Sequence, residues 1–177
     1  MLQQFSRHAL AALTVLVTTA LGADALAQPT ENRAYVGVTI GGNLEQAEDG
    51  VVGESAGVGV EAGLPLNPRW TLDLEVWVPG YFENNGGQHR DILFNVSAVR
   101  FLHDSGVRTF AVIGAGFGIV QQRSEFGKFD GSETYLVFGG GVEIPAGRRL
   151  AIVPEVRVNY AISALIVRPQ VGIRVRF

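Results

Sequence analysis

Cysteine is absent from the 177 residues, lysine occurs once, at Lys128, and the one methionine is Met1. With no thiols the fold uses no disulfides, even in a compartment that would permit them. Lipoprotein processing is excluded as well, because no cysteine follows the apolar run near the N-terminus. A basic excess is also missing. The 14 Lys and Arg stand against 17 Asp and Glu, a net charge of -3, so no nucleic-acid partner is expected. After Ala27 the longest apolar stretch runs from Phe110 to Val120, too short for the roughly 20 residues of a spanning helix. A helical membrane protein is thereby excluded. What the chain does hold is 23 glycines and many valines, a composition that fits strands.

Residues 1–27 read as a cleaved secretory signal. Arg7 supplies the positive start, Ala9 to Leu21 the apolar run, and Ala25-Leu26-Ala27 the small-x-small cleavage site. Cleavage after Ala25 is the alternative, since Ala23-Asp24-Ala25 has the same form. A membrane anchor is the competing reading, and the shortness of the run disfavours it. Processing removes Arg7 and Asp24, one charge of each sign, so residues 28–177 keep the net charge of -3.

From Arg33 onward the apolar residues recur with period two, the signature of strands. Eight such segments follow one another. Val36, Val38 and Ile40 mark the first; Val58, Val60, Ala62 and Leu64 the second; Trp70, Leu72, Leu74 and Val76 the third. Ile92, Phe94, Val96 and Ala98 mark the fourth, and Ala111, Ile113, Ala115, Phe117 and Ile119 the fifth. Leu136, Phe138, Val142 and Ile144 belong to the sixth, and Ile152, Val156, Val158 and Tyr160 to the seventh. Val167, Val171, Ile173, Val175 and Phe177 form the last. The joins alternate in length. Pro65 to Pro68, His103 to Gly106 and Pro145 to Arg148 are tight, whereas Asn43 to Glu54, Pro79 to Arg90 and Gln121 to Gly131 are long and polar. Only Ala161 to Leu165 departs from this rule by being short. Short turns on one rim and longer loops on the other predict an all-β, eight-stranded antiparallel up-and-down transmembrane barrel of one domain.

A soluble eight-stranded barrel would share the pattern but turn its apolar face inward. The polar face decides between them. It is rich in glycine and carries Glu61, Asp73, Glu75, Glu133, Glu143 and Glu155 against Arg108, Arg157, Arg168, Arg174 and Arg176. An interior of eight strands is narrow enough for side chains to fill, and buried charges must be paired, which guanidinium forks do well. The apolar face has no charge in mid-strand, where a Lys or Arg facing lipid would cost roughly 2–4 kcal/mol. The expectation is therefore apolar side out, with the charged set as an ion-pair network in the lumen. Trp70, Phe101 and Phe177 on one rim, and Trp77, Tyr81, Phe82, Tyr160, Phe126 and Phe129 on the other, would form interfacial girdles.

The terminal segment Val171-Gly172-Ile173-Arg174-Val175-Arg176-Phe177 resembles the last strand of bacterial outer-membrane proteins. The resemblance implies an assembly signal carried by Val171, Ile173, Val175 and Phe177 and recognition by the barrel assembly machinery. Residues 28–177 as a whole resemble the small barrels of the OmpA transmembrane-domain and OmpX type. That family implies a place in the Gram-negative outer membrane among its lipids and lipopolysaccharide, and a monomer. No domain is expected beyond Phe177.

Catalytic sets are weak. His103-Asp104-Ser105 has the His-x-Ser spacing of lipid A deacylase barrels, but Gly106 stands where that family has Asn, and the segment lies in a tight turn expected on the periplasmic side. Asp73 and Glu75 share a strand face, as an acid–base pair could, but lumen pairing with arginine explains them better. Gly114-x-Gly116-x-Gly118 lacks the helix of a dinucleotide site, and Asn95-Val96-Ser97 is a sequon inside a strand. His89 stands alone in its loop and defines no metal site, and Glu45, Glu48, Asp49 and Glu54 read as a solvated acidic loop rather than a cation site. No cofactor is expected. The reading is a non-enzymatic envelope or surface-interaction protein acting through its long loops. A small-solute channel and a lipid A-modifying enzyme are the alternatives.

Overall fold

The computed structural model describes residues 32–47, 52–84, 87–103, 106–124 and 127–177. The expected signal at 1–27 lies outside them, as do Glu48, Asp49, Asn85, Asp104, Ser105 and Phe126. Within them the chain runs as β1 (Tyr35–Ala47), β2 (Val52–Asn67), β3 (Trp70–Pro79), β4 (Phe82–Asn84) and β5 (Gly87–Phe101). Then come β6 (Arg108–Ser124), β7 (Gly127–Pro145), β8 (Leu150–Tyr160) and β9 (Ala164–Arg176). β3 and β4 both pair with β5, so β4 carries the line of β3 onward past Gly80 and Tyr81, and the barrel wall has eight staves. All pairings are antiparallel, and β1 pairs with β9 from Tyr35↔Arg176 to Ala47↔Ala164. The sheet is closed. The backbone N–H of Phe177 donates to the Ala34 carbonyl at 2.9 Å, tying the last residue to the start of β1.

Closure satisfies every edge, which a lipid environment requires of any β-structure. Side chains then fall on two faces by parity. The aliphatic set points out: Val38, Ile113 and Ile173 are 58%, 56% and 53% exposed. Arg157, Arg168 and Arg174 on the other face are fully buried. A wide exposed belt of Val, Ile, Leu and Phe would be untenable in water, and around a charged interior it is the surface of a membrane-spanning barrel.

The loops depart from the sequence expectation. The segments expected as loops at Asn43 to Glu54, Pro79 to Arg90 and Gln121 to Gly131 are largely strand, since β1, β2, β4, β5, β6 and β7 run on through them. Pairing such as Gln121↔Asp130 and Arg123↔Lys128 continues to the hairpin tip. Apolar alternation stops at the membrane surface because both faces are wet beyond it, whereas backbone pairing has no reason to stop there. β6 and β7, at 17 and 19 residues, exceed the 9–11 that cross a bilayer and project furthest. At the opposite, turn-side rim the β2–β3 join is set by Asn67, whose Oδ1 accepts from the N–H groups of Arg69 (2.9 Å) and Trp70 (3.0 Å). This is an Asx turn.

Candidate functional site: a lumen in two parts

The inward faces of the strands carry buried side chains across the lumen on the turn side. Arg157 on β8 reaches across the barrel to four carboxylates. They are Asp73 at 2.9 Å, Glu155 at 3.0 Å, Glu75 at 3.2 Å and Glu61 at 3.4 Å. Arg174 on β9 grips Glu61 with both forks, at 2.6 and 2.8 Å, the bidentate geometry that gives arginine its hold on a carboxylate. Arg168 donates to Glu75 at 2.8 Å and to Asn159 at 3.2 Å. Nearest the turns, Arg108 and Arg176 share Glu143, the latter at 2.9 Å.

Neutral donors add to the network. The Tyr35 hydroxyl donates to Asp73 at 2.6 Å, Asn95 to Glu75 at 2.8 Å, and Asn159 to Asn95 at 2.9 Å. Five carboxylates (Glu61, Asp73, Glu75, Glu143, Glu155) thus meet five guanidiniums (Arg108, Arg157, Arg168, Arg174, Arg176), all buried. Beside them lies an apolar packing of Val99, Phe101, Phe110, Val112, Val137, Ala151 and Val153. Sequence reasoning passed over this packing, although strand parity places every member inside.

Parity also corrects the aromatic girdles. Phe101, expected on the turn-side rim, is buried in the lumen under the Arg108 guanidinium, 3.8 Å from its ring. Trp77 and Phe82, expected on the loop-side rim, are buried too. Trp77 sits beside Arg168 at 5.1 Å. Glycine makes room for both rings. A Cβ at Gly57 would come within 2.5 Å of Trp77, and one at Gly53 within 2.0 Å of Phe82. Trp70, Tyr160 and Phe177 do face outward, and Arg100 stacks over Trp70 at 5.6 Å. Tyr81 is half-buried, with the Arg90 guanidinium 4.3 Å from its ring.

A collar of Trp77, Leu93, Tyr135, Ala161, Ala164 and Ile166 marks the end of the balanced network. Along β5, Asn95 lies on its turn side and Asp91 and His89 on its loop side; along β9, Ile166 precedes Arg168. Beyond the collar the composition changes. Glu45 of β1 and Asp91 of β5 are buried, and His89 lies between them. Its Nε2 is 3.1 Å from Glu45 Oε1 and 3.0 Å from Asp91 Oδ1. His89, alone in the sequence, is thus joined by two carboxylates, one of them from the segment expected to be a solvated loop.

Glu133, placed by sequence with the arginine network, belongs here instead. It accepts from the hydroxyls of Tyr135 (3.1 Å) and Ser163, and Tyr135 also donates to Asp91 Oδ2. Phe82 packs against the imidazole, ring centres 5.1 Å apart. Outward neighbours at this level are polar Gln46, Glu54, Gln88 and Arg90 on the loop side and Leu44 and Ile92 on the turn side, so the cup stands at the loop-side edge of the spanning wall. Burial raises the Glu45 carboxyl above its ordinary range, and the Asp91 and Glu45 carboxylates push the His89 imidazole up to about 10. His103, at the turn rim, is exposed and lies 3.0 Å from the Thr109 hydroxyl.

Solved structures share this architecture. Neisserial surface protein A superimposes with a TM-score of 0.73 at 12% identity, covering 81% of this chain and 97% of that one. The fold is that of the small outer-membrane β-barrels. Ail, the attachment invasion locus protein of Yersinia pestis, gives 0.63 at 16%, covering 84% and 100%. The outer membrane enzyme PagL gives 0.50 at 9%, covering 78% and 99%. No known family profile and no curated protein sequence matches the chain.

Proposed function

We propose that the chain is exported by its N-terminal signal and works as a monomeric, non-enzymatic protein of the Gram-negative outer membrane. Its role is structural or adhesive, through the hairpins that β1–β2, β4–β5 and β6–β7 raise above the membrane among the lipopolysaccharide. The observation that carries this reading is the ion-pair network across the lumen. Arg157, fully buried, bonds to carboxylates on β2, β3 and β8, and a lumen spanned by paired side chains weighs against the channel alternative. The barrel fold also hosts an enzyme, PagL, so fold alone decides nothing about catalysis. Against an enzyme stands the position of His103 on the turn rim, away from the leaflet where lipid A lies.

Purified protein in planar bilayers should give no resolved conductance steps. Steady unitary currents from the wild type would favour the channel. The outward-facing Val171, Ile173, Val175 and Phe177 on the closing strand support recognition by the assembly machinery. Deleting Phe177 should cut the yield of folded barrel in membranes severalfold, and an unchanged yield would remove that part of the reading.

A further inference from the structure

The cup above the collar is short of positive charge. Glu45 and Asp91 face one imidazole, Glu133 lies beside them on the Tyr135 and Ser163 hydroxyls, and among the described residues no guanidinium lies within ion-pair distance of the three. Its donors are also arranged unlike an ordinary ion pair. His89 Nε2 and Asp91 Oδ1 are 3.0 Å apart, yet neither has a hydrogen-bond partner, because the contact is not in line. Glu45 Oε2, on a side chain 4% exposed, has no partner either. Buried polar atoms are seldom left so.

We propose that Glu45, His89 and Asp91 form a binding site for one divalent transition-metal ion of the zinc class. Each offers a donor atom, and all three lie within 4.8 Å of one another. Ligand atoms about 2.0–2.2 Å from a tetrahedral zinc lie about 3.3–3.6 Å from each other, so the 3.0 and 3.1 Å separations about Nε2 need open by only a few tenths of an ångström to admit the ion. One imidazole with two carboxylates suits zinc and its neighbours over calcium or magnesium, which take oxygen donors.

The surroundings orient these ligands, as the outer shell of a metal site does. Tyr135 donates to Asp91 Oδ2 and so leaves Oδ1 facing His89, while Phe82 holds the imidazole plane. Asn43, two residues before Glu45 on the same face of β1, is buried with neither amide atom partnered, leaving a further oxygen donor on that strand. The ion takes the place of the imidazole proton at Nε2. It would clamp β1 to β5, three staves away around the barrel mouth.

The test uses tag-free, signal-processed protein folded in detergent, stripped with a chelator and titrated with ZnCl2 by calorimetry. One zinc per barrel is expected. Affinity should fall at least tenfold in His89→Ala and in Asp91→Asn, and should be unchanged in His103→Ala, whose imidazole lies at the far rim. Absence of saturable binding, or equal binding by His89→Ala, overturns the site. Should those variants not fold, Cu2+ bound to the wild type serves as the probe. Its electron paramagnetic resonance spectrum should show coupling to one imidazole nitrogen, and a spectrum of oxygen ligands alone overturns the proposal equally.

Discussion

On the turn side of the collar, five carboxylates face five guanidiniums; on the loop side, Glu45 and Asp91 share one imidazole and Glu133 is held by hydroxyls. Both regions are buried, line the same lumen and were built by the same parity rule. They differ in what completes them. Charges removed from water need partners and hydrogen bonds of good geometry. The turn side supplies a guanidinium for every carboxylate from within the chain, so it is a structural bolt. The loop side does not, and a buried shortfall of positive charge is a place for something that arrives from outside.

The largest expected effect lies in the bolt. Arg157→Leu removes the one group that touches Glu61, Asp73, Glu75 and Glu155 together. It leaves the turn side with five acids and four bases. Breaking a buried pair costs about 3–5 kcal/mol, so the urea midpoint of the folded barrel, read by its heat-modifiable migration on gels, should fall by that equivalent. A shift below about 1 kcal/mol would mean that the network is solvated and the contrast between the two regions unfounded.

Much of this was legible in the sequence. Period two gave the eight staves, and the unequal joins gave the two rims. The choice of outward face followed from the charges: Glu61, Asp73 and Glu75 occupy the face that Val60, Leu72 and Leu74 do not. Three things were not legible, each for a physical reason. The hairpins above the membrane keep backbone pairing while losing apolar alternation, so the apolar pattern ends before β6 and β7 do. Residue type assigns Trp77, Phe82 and Phe101 to the rims, whereas parity puts Trp77 and Phe101 inside, and the break at Gly80 and Tyr81 turns Phe82 inward as well; Gly57 and Gly53, facing Trp77 and Phe82, are the available sign. The cup joins Glu45 to His89 and Asp91 across the barrel, and such a contact depends on closure and stagger, which no local pattern records.

The contrast is tested most directly by neutralising one carboxylate on each side of the collar and comparing their urea unfolding under chelator. Glu75→Gln takes from Arg168 its carboxylate and from Arg157 one of its four, and should destabilise the barrel by about 3 kcal/mol. Glu133→Gln retains an acceptor for Tyr135 and Ser163 and relieves repulsion among three acids, so stability should stay within about 0.5 kcal/mol of the wild type or rise. Equal losses from the two substitutions would contradict the division of the lumen into a balanced bolt and an unbalanced cup.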